Sequence, residues 1–215
     1  MILRPTRIPT FLLIAAMVLP ALGCAYSGGP VKGRVLDEEM NTPVADAIVV
    51  VIWQGTAFSF VESPTVCIHV ETATTDKDGR YRIPYWRAST EPSGVRGLEP
   101  YVAGVYKVGY QRSTRRMPDD LGGGDQFLRP FKGTRVERFK SIRISGVNCG
   151  NAGESNRNLI PLYRTIYEQL NALAETKEEK YDANAYLNKI EEIELPYEEA
   201  SRRDEERLKR IRYEK

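Results

Sequence analysis

One stretch of the sequence, from Gly33 to Tyr85, constrains the fold more than any other. Within it, Ala47 to Trp53 (AIVVVIW) is an uninterrupted apolar run, and most of its residues are β-branched. β-branched side chains favour strands, and a strand without polar alternation is buried on both faces. Residues 66–74 and 80–86 instead alternate in polarity, and the Asp78-Gly79 pair between them is typical of a hairpin turn. The stretch therefore predicts a meander of β-strands.

The apolar pattern continues on both sides of this stretch and then changes its period. Further strands are expected at residues 31–36, 101–111 and 135–147, with a long polar loop over 113–133. The predicted class is therefore mainly β, a seven-stranded or similar antiparallel β-sandwich over residues 31–150, with a charged α-helical extension over 151–215. Helical spacing predicts a first helix over 159–173 with Asn158 as cap, a second capped by Asp182 and ended by Pro196, and a charged third over 197–213.

Short motifs follow one another through the β region. They are Gly33-x-Val35, Pro43, Ala47-x-Val49, Thr75-Asp76-x-x-Gly79-x-Tyr81-x-Ile83 and Gly109-Tyr110. Together, over roughly 80 of the 215 residues, they resemble the carboxypeptidase regulatory-like domain, a transthyretin-like (prealbumin-like) β-sandwich. The resemblance implies a prealbumin-like sandwich that acts as a non-catalytic module.

The first 23 residues are typical of a signal peptide. They contain Arg4 and Arg7 and no acidic residue, and an apolar run from Phe11 to Leu22 follows. That run is too short to span a bilayer, which needs about 20 residues, but it suits the apolar region of a signal peptide. Removal of these two arginines takes the net charge of the chain from +2 to 0. A neutral chain has no electrostatic basis for binding nucleic acid, so no nucleic-acid partner is predicted.

Cys24 ends the sequence ALGC, which resembles the lipobox of bacterial lipoproteins. The resemblance implies a lipid on Cys24 and a membrane as partner, with residues 24–30 as a flexible tether. The alternative is cleavage after Gly23 by an ordinary signal peptidase. Either processing route predicts an exported protein on the periplasmic side of the cell envelope, and lipidation would anchor it to the outer membrane.

Cys67 and Cys149 are expected to form a disulfide bond, because paired cysteines in an exported chain meet an oxidising compartment. The alternative is a pair of separate buried thiols that pack as small apolar side chains.

The single histidine, His69, argues against catalysis and against a resident metal or cofactor. Zinc and iron centres built on histidine need at least two of them. The catalytic relatives of the resembled fold, such as hydroxyisourate hydrolases and intradiol dioxygenases, also rely on several histidines. His69 is instead expected to pair with a neighbouring acid, Glu71. Asp76-x-Asp78-Gly79 resembles the start of a calcium loop but has Arg80 at the next ligand position, which favours a hairpin turn.

Two groups of residues are candidates for ligand binding. Tyr85 and Trp86 could line a carbohydrate-binding face, although such aromatics also fill the core and rim of a sandwich. Arg112, Arg115 and Arg116 beside Tyr110 could hold an acidic glycan or a lipid headgroup, although a solvated loop has the same composition. The expected function is a non-catalytic cell-envelope module with a structural or binding role and an envelope protein or glycan as partner. Two alternatives are a carbohydrate- or peptide-binding module that uses these residues, and an assembly protein that docks through its C-terminal helices.

Overall fold

The computed structural model describes residues 26–58, 62–87, 94–113, 123–142, 147, 149 and 153–213. The signal peptide expected over residues 1–23, the lipidation expected at Cys24, and the candidate ligands Arg115 and Arg116 lie outside these residues.

The described residues form nine strands, four α-helices and one 3-10 helix. The strands are β1 Ser27–Gly28, β2 Val31–Asp37, β3 Ile48–Ala57, β4 Thr65–Thr74, β5 Arg80–Ile83, β6 Trp86–Arg87, β7 Val95–Tyr106, β8 Tyr110–Arg112 and β9 Gly123–Pro130. The helices are α1 Arg135–Ser141, the 3-10 helix Gly153–Leu159, α2 Ile160–Leu173, α3 Lys177–Glu194 and α4 Tyr197–Tyr213.

The described strands are arranged in three sheets. One sheet has four strands in the order β5-β2-β9-β8, a second has three in the order β4-β3-β7, and β1 pairs only with β6. All pairs are antiparallel except β2 and β9, which run parallel with Arg34 opposite Asp125. The expectation of a purely antiparallel, mainly β fold is therefore wrong. The fold is mixed, with several sheets and a C-terminal helical part, and the helical part agrees with the sequence pattern.

Strand β3 is buried on both faces because a different layer covers each of them. Val49, Val51 and Trp53 pack against the four-stranded sheet in one apolar cluster. Ile48 and Val50 face the opposite way, into a second cluster formed with the helices. The apolar run of this strand thus indicated burial on both faces correctly, but one of the two covering layers is helical.

The second cluster is built mainly by α2. Leu162, Ile166 and Leu170 recur at helical spacing and have 1% or less of their surface exposed. Ala183 and Ile190 of α3 extend the cluster outward. The helical part therefore shares a core with the three-stranded sheet.

A helix, α1, occupies residues that were expected to form the last strand. Residues 135–147 alternate in polarity, but a Thr-x-x-Glu capping box precedes them: the Thr134 hydroxyl accepts from the Glu137 N–H, and the Glu137 carboxylate accepts from the Thr134 N–H. Phe139 and Ile142 are then three residues apart and both face the core. The cap and this spacing favour a helix, and the strand prediction is wrong for Arg135–Ser141.

A strand, β9, also replaces part of the loop expected over residues 113–133. Its pairing with β2 is a contact between residues about 90 positions apart, which a local pattern does not contain. Leu128 of this strand is buried between the two larger sheets. The loop prediction is therefore wrong for Gly123–Pro130.

Two predicted helix caps differ from the observed ones. Thr176, which forms a capping box with Glu179, begins α3, so Asp182 lies inside the helix. Asn158 does not cap α2, because its side-chain N–H donates to the Val70 carbonyl. The third helix, α4, covers Tyr197–Tyr213 directly after Pro196, as expected.

Candidate functional site

A cleft of about 150 Å³ lies where the edge strand β7 approaches β8. Lys107, Tyr110 and Arg112 line it, together with Ser141 at the end of α1. Arg112 is exposed and stands opposite Leu128 of β9, at the open edge of the four-stranded sheet. The structure therefore places one of the three candidate arginines, with its neighbour Tyr110, at the rim of a cavity.

The polar groups of this cleft suit an anionic ligand. Lys107 Nζ lies 3.5 Å from the exposed carboxylate of Asp46, and Arg112 makes no ion pair within the described part of the chain. Burial, followed by the nearby Asp37 carboxylate and a hydrogen bond to it, raises the pKa of Tyr110. The two cations can together hold a carboxylate or sulfate.

A wider, more mixed groove of about 500 Å³ continues from the cleft and shares Gln111 and Ser141 with it. Three of its four charged side chains are already engaged. Lys132 Nζ donates to both carboxylate oxygens of Glu39, at 2.6 and 2.9 Å, and the Glu137 carboxylate is engaged in the α1 capping box. Arg129 also lines this groove and makes no ion pair within the described residues, so unpaired positive charge is found at both Arg112 and Arg129.

Tyr85 and Trp86 are neighbours in sequence but lie in different environments. Tyr85 is 61% exposed, whereas Trp86 is 7% exposed and belongs to the core between the two larger sheets. The Trp86 ring stacks on His69 with 3.8 Å between centroids and meets Trp53 edge-on at 5.3 Å. Trp86 therefore cannot present a face to a sugar, and its predicted role as a ligand residue is wrong.

His69 is held by structural contacts. Its Nε2 atom lies 2.9 Å from Glu71 Oε1, and the two side chains are 15% and 19% exposed. This is the acid pairing expected from the sequence. No group of three metal-ligating side chains occurs among the residues that the structure describes.

The Asp76 turn is a hairpin turn closed by its own backbone. The Asp76 carboxylate accepts from the N–H groups of Asp78, at 2.9 Å, and Arg80, at 2.8 Å. Gly79 supplies the positive φ of 69° that the turn requires. The carboxylate stabilises the turn, in agreement with the hairpin interpretation.

The Cys67–Cys149 disulfide is present and joins β4 to the residues that precede the 3-10 helix. Close to it, the 3-10 helix covers the free edge of β4. The Val70 N–H donates to Ser155 Oγ at 3.2 Å, and the Val70 carbonyl accepts from the Asn158 amide at 3.0 Å. The bond and these contacts fix the start of the helical part against the sheet.

The outer helices leave an open groove of about 460 Å³ between α3 and α4. Tyr181, Leu208 and Ile211 form its apolar floor, with Lys177 and Arg212 at its edge. Helix α4 is fixed by Arg207, which donates to the Glu191 carboxylate and to Asn188. A second open groove, of about 360 Å³, is lined by Tyr167, Leu187 and Leu195, so docking through the helices has two surfaces available.

Within the described ranges, no helix has both the length and the apolar character needed to cross a membrane.

No protein-family model and no curated protein matches this sequence. Among solved structures, a 9R-lipoxygenase from Cyanothece PCC8801 aligns with 70% of this chain at 13% identity. The aligned region spans only 26% of that lipoxygenase, and the TM-score is 0.23. A similarity this low carries no argument about fold or function.

Proposed function

We propose that this chain is an exported, non-catalytic module of the cell envelope, built on a prealbumin-like β-sandwich and extended by packed helices. The Cys67–Cys149 disulfide is the observation that supports export most directly, because such bonds persist in oxidising compartments. The basic and apolar residues before Cys24 are the matching feature of the sequence. In this proposal Cys24 carries the lipid that holds the module on the periplasmic side of the outer membrane.

Intact-mass analysis of the membrane fraction tests export, lipidation and the disulfide together. The expected product starts at Cys24, carries a diacylglycerol adduct, and is lighter than the reduced chain by the mass of two hydrogen atoms. A Cys24→Ser variant is the control and should lose the adduct but keep the disulfide. An uncleaved product in the cytosol with free thiols at Cys67 and Cys149 would contradict the proposal.

A second candidate function is binding of an acidic glycan in the cleft beside β8. The observation that favours it is the placement of Arg112, Lys107 and Tyr110 around one cavity. Lys107 pairs with the exposed Asp46, whereas Arg112 has no ion-pair partner among the described residues. The uronic-acid carboxylates of such a glycan would pair with the two cations.

Polygalacturonate oligomers and a neutral glucan of the same length provide the test for the cleft. The acidic oligomer should bind and the neutral one should not, and Arg112→Gln should weaken binding about tenfold because one charge-assisted contact is worth about 1.5 kcal/mol. Arg210→Gln, an equal change on the exposed side of α4, is the matched control. Equal effects of the two variants would refute this use of the cleft.

A further inference from the structure

The residues that follow Cys24 are fixed to one end of the molecule. Ser27 and Gly28 form β1 and pair with Arg87 and Trp86 of β6. The Tyr26 hydroxyl donates to the Val95 carbonyl at 2.6 Å, which ties the same segment to the start of β7. Residues 26–28, expected as part of a flexible tether, are therefore part of the folded structure.

This attachment leaves little length between Cys24 and the folded residues. Two peptide units separate Cys24 from Tyr26, and consecutive Cα atoms lie 3.8 Å apart, so the two Cα atoms are at most about 8 Å from each other. A group attached to Cys24 would thus be held close to the end of the molecule where β1 lies. If that group is inserted in a bilayer, this end must face the bilayer surface.

The surface around β1 contains cations and exposed aromatic rings. Lys32 stands opposite Arg82 on adjacent strands, and both are exposed, as are Arg87, opposite Ser27, and Arg96, next to Val95. Within the described part of the chain, none of these four cations makes an ion pair. We call this surface the anchor rim and define it by Lys32, Phe58, Arg82, Tyr85, Arg87 and Arg96.

The anchor rim contains two exposed aromatic residues. Tyr85 is 61% exposed and Phe58 is 64% exposed. Tyr85 lies beside Gly29, where an added Cβ would be 3.1 Å from its Cα, and the Phe58 N–H donates to the Gly94 carbonyl, one residue before Val95. Aromatic rings together with cations are the side chains that proteins place at the headgroup level of a membrane.

We propose that the anchor rim binds the surface of a bilayer that contains anionic phospholipids. The four cations contact lipid phosphates, and Tyr85 and Phe58 enter the headgroup region. The inference rests on the proposed export to the cell envelope, and it adds the orientation of the module on the membrane. Two exposed acidic residues lie nearby in the sequence, Glu62 in the loop before β4 and Glu99 in β7, so the four cations of the rim outnumber them. Each cation near an anionic surface contributes about 1 kcal/mol, or about fivefold in partitioning.

Vesicle binding of the chain from residue 24 onward with Cys24→Ser, which carries neither the apolar leader nor the lipid, tests this surface independently of lipidation. The protein should partition onto vesicles in which about a third of the lipid is phosphatidylglycerol, and much less onto phosphatidylcholine alone. Arg82→Glu with Arg87→Glu should lower partitioning onto the anionic vesicles at least about 25-fold. Lys209→Glu with Arg210→Glu changes the net charge equally on exposed positions of α4 and should have little effect.

Equal losses in the two double variants, or no binding to anionic vesicles, would overturn the proposal. A fluorophore attached to a new cysteine reports the orientation directly. At Tyr85→Cys its emission should shift to the blue when anionic vesicles are added. At Tyr197→Cys on α4, where the native tyrosine is 84% exposed, the emission should not shift. The reverse pattern would place α4 instead of the anchor rim on the membrane and would also overturn the proposal. Mass analysis of Cys24 decides export separately, so failure of one idea can be told from failure of the other.

Discussion

Replacing both Cys67 and Cys149 by alanine should lower the free energy of unfolding by about 3–5 kcal/mol. The two residues are 82 positions apart, and closing a loop of that length lowers the entropy of the unfolded chain by an amount worth about 4.5 kcal/mol at 25 °C. Cys149 is fully buried, so loss of its sulfur adds a smaller cavity term. Alanine is the better replacement there, because serine would bury a hydroxyl group.

Urea unfolding of the chain from residue 24 onward, followed by tryptophan fluorescence and circular dichroism, measures this loss. A reducing agent should destabilise the wild-type chain by a similar amount and should leave the double variant unchanged, which separates the bond from side effects of the reagent. A loss below about 1 kcal/mol would refute the reasoning. It would mean that the unfolded chain stays compact around these residues even without the bond.

Three further predictions concern the core, the β1 segment and one ion pair. Ile166→Ala truncates a fully buried side chain between α2 and the three-stranded sheet, so it should lower the free energy of unfolding by about 3 kcal/mol. If the core is shared, the strand and helix signals of this variant should be lost in a single urea transition. Gly28→Ala places a Cβ against the Trp53 indole and 2.7 Å from Trp86 Nε1, so it should lower the free energy of unfolding by about 1–3 kcal/mol. Gly104→Ala, which has open space around its Cβ, is the control and should lower it by less in the same urea unfolding experiment. Equal losses would argue against the close packing of β1. The hydrogen bond from the Arg135 guanidinium, with others from the Glu175 and Thr176 N–H groups, lowers the pKa of Glu179 from 4.5 to about 2. This stabilisation is complete above pH 4.5 and is lost as the pH falls toward 2. Denaturation midpoints of Glu179→Gln should therefore depend less on pH in that window than those of the wild type, and parallel curves would contradict the assignment.

Local patterns were sufficient to predict the elements whose residues carry their own periodicity. The β-branched run of β3, the alternation of β4 and the Asp76 turn all appear where the sequence places them. Two helices of the C-terminal part were predictable for the same reason. The apolar residues of α2 recur at helical spacing, and Pro196 marks the residue before α4.

The remaining elements depend on contacts between distant residues or on a signal that was overlooked. Strand β9 forms because β2 offers it an edge, and nothing local to its glycine-rich residues indicates a strand. Helix α1 could have been found, because Thr134 and Glu137 form a capping-box pattern that outweighs the alternation after them.

The candidate site shows the same division. Arg112 could be singled out from its basic, aromatic neighbourhood, but its partners Lys107 and Ser141 reach the cleft only because β7, β8 and α1 meet there. Trp86 was misjudged because its burial depends on His69, which stacks on it from β4.

Deletion of residues 158–215 would also remove core residues such as Leu162, so substitutions in the groove between α3 and α4 are the better test of docking through the helices.

The position of β2 determines when its sheet can be completed during synthesis. This strand leaves the ribosome early, yet one of its two neighbours, β9, is synthesised about 90 residues later. Until Pro130 has emerged, one edge of β2 stays open and can pair with a strand of another chain. Completion of this sheet is therefore a late event, and slowing synthesis or secretion between residues 37 and 123 should increase aggregation of the newborn polypeptide.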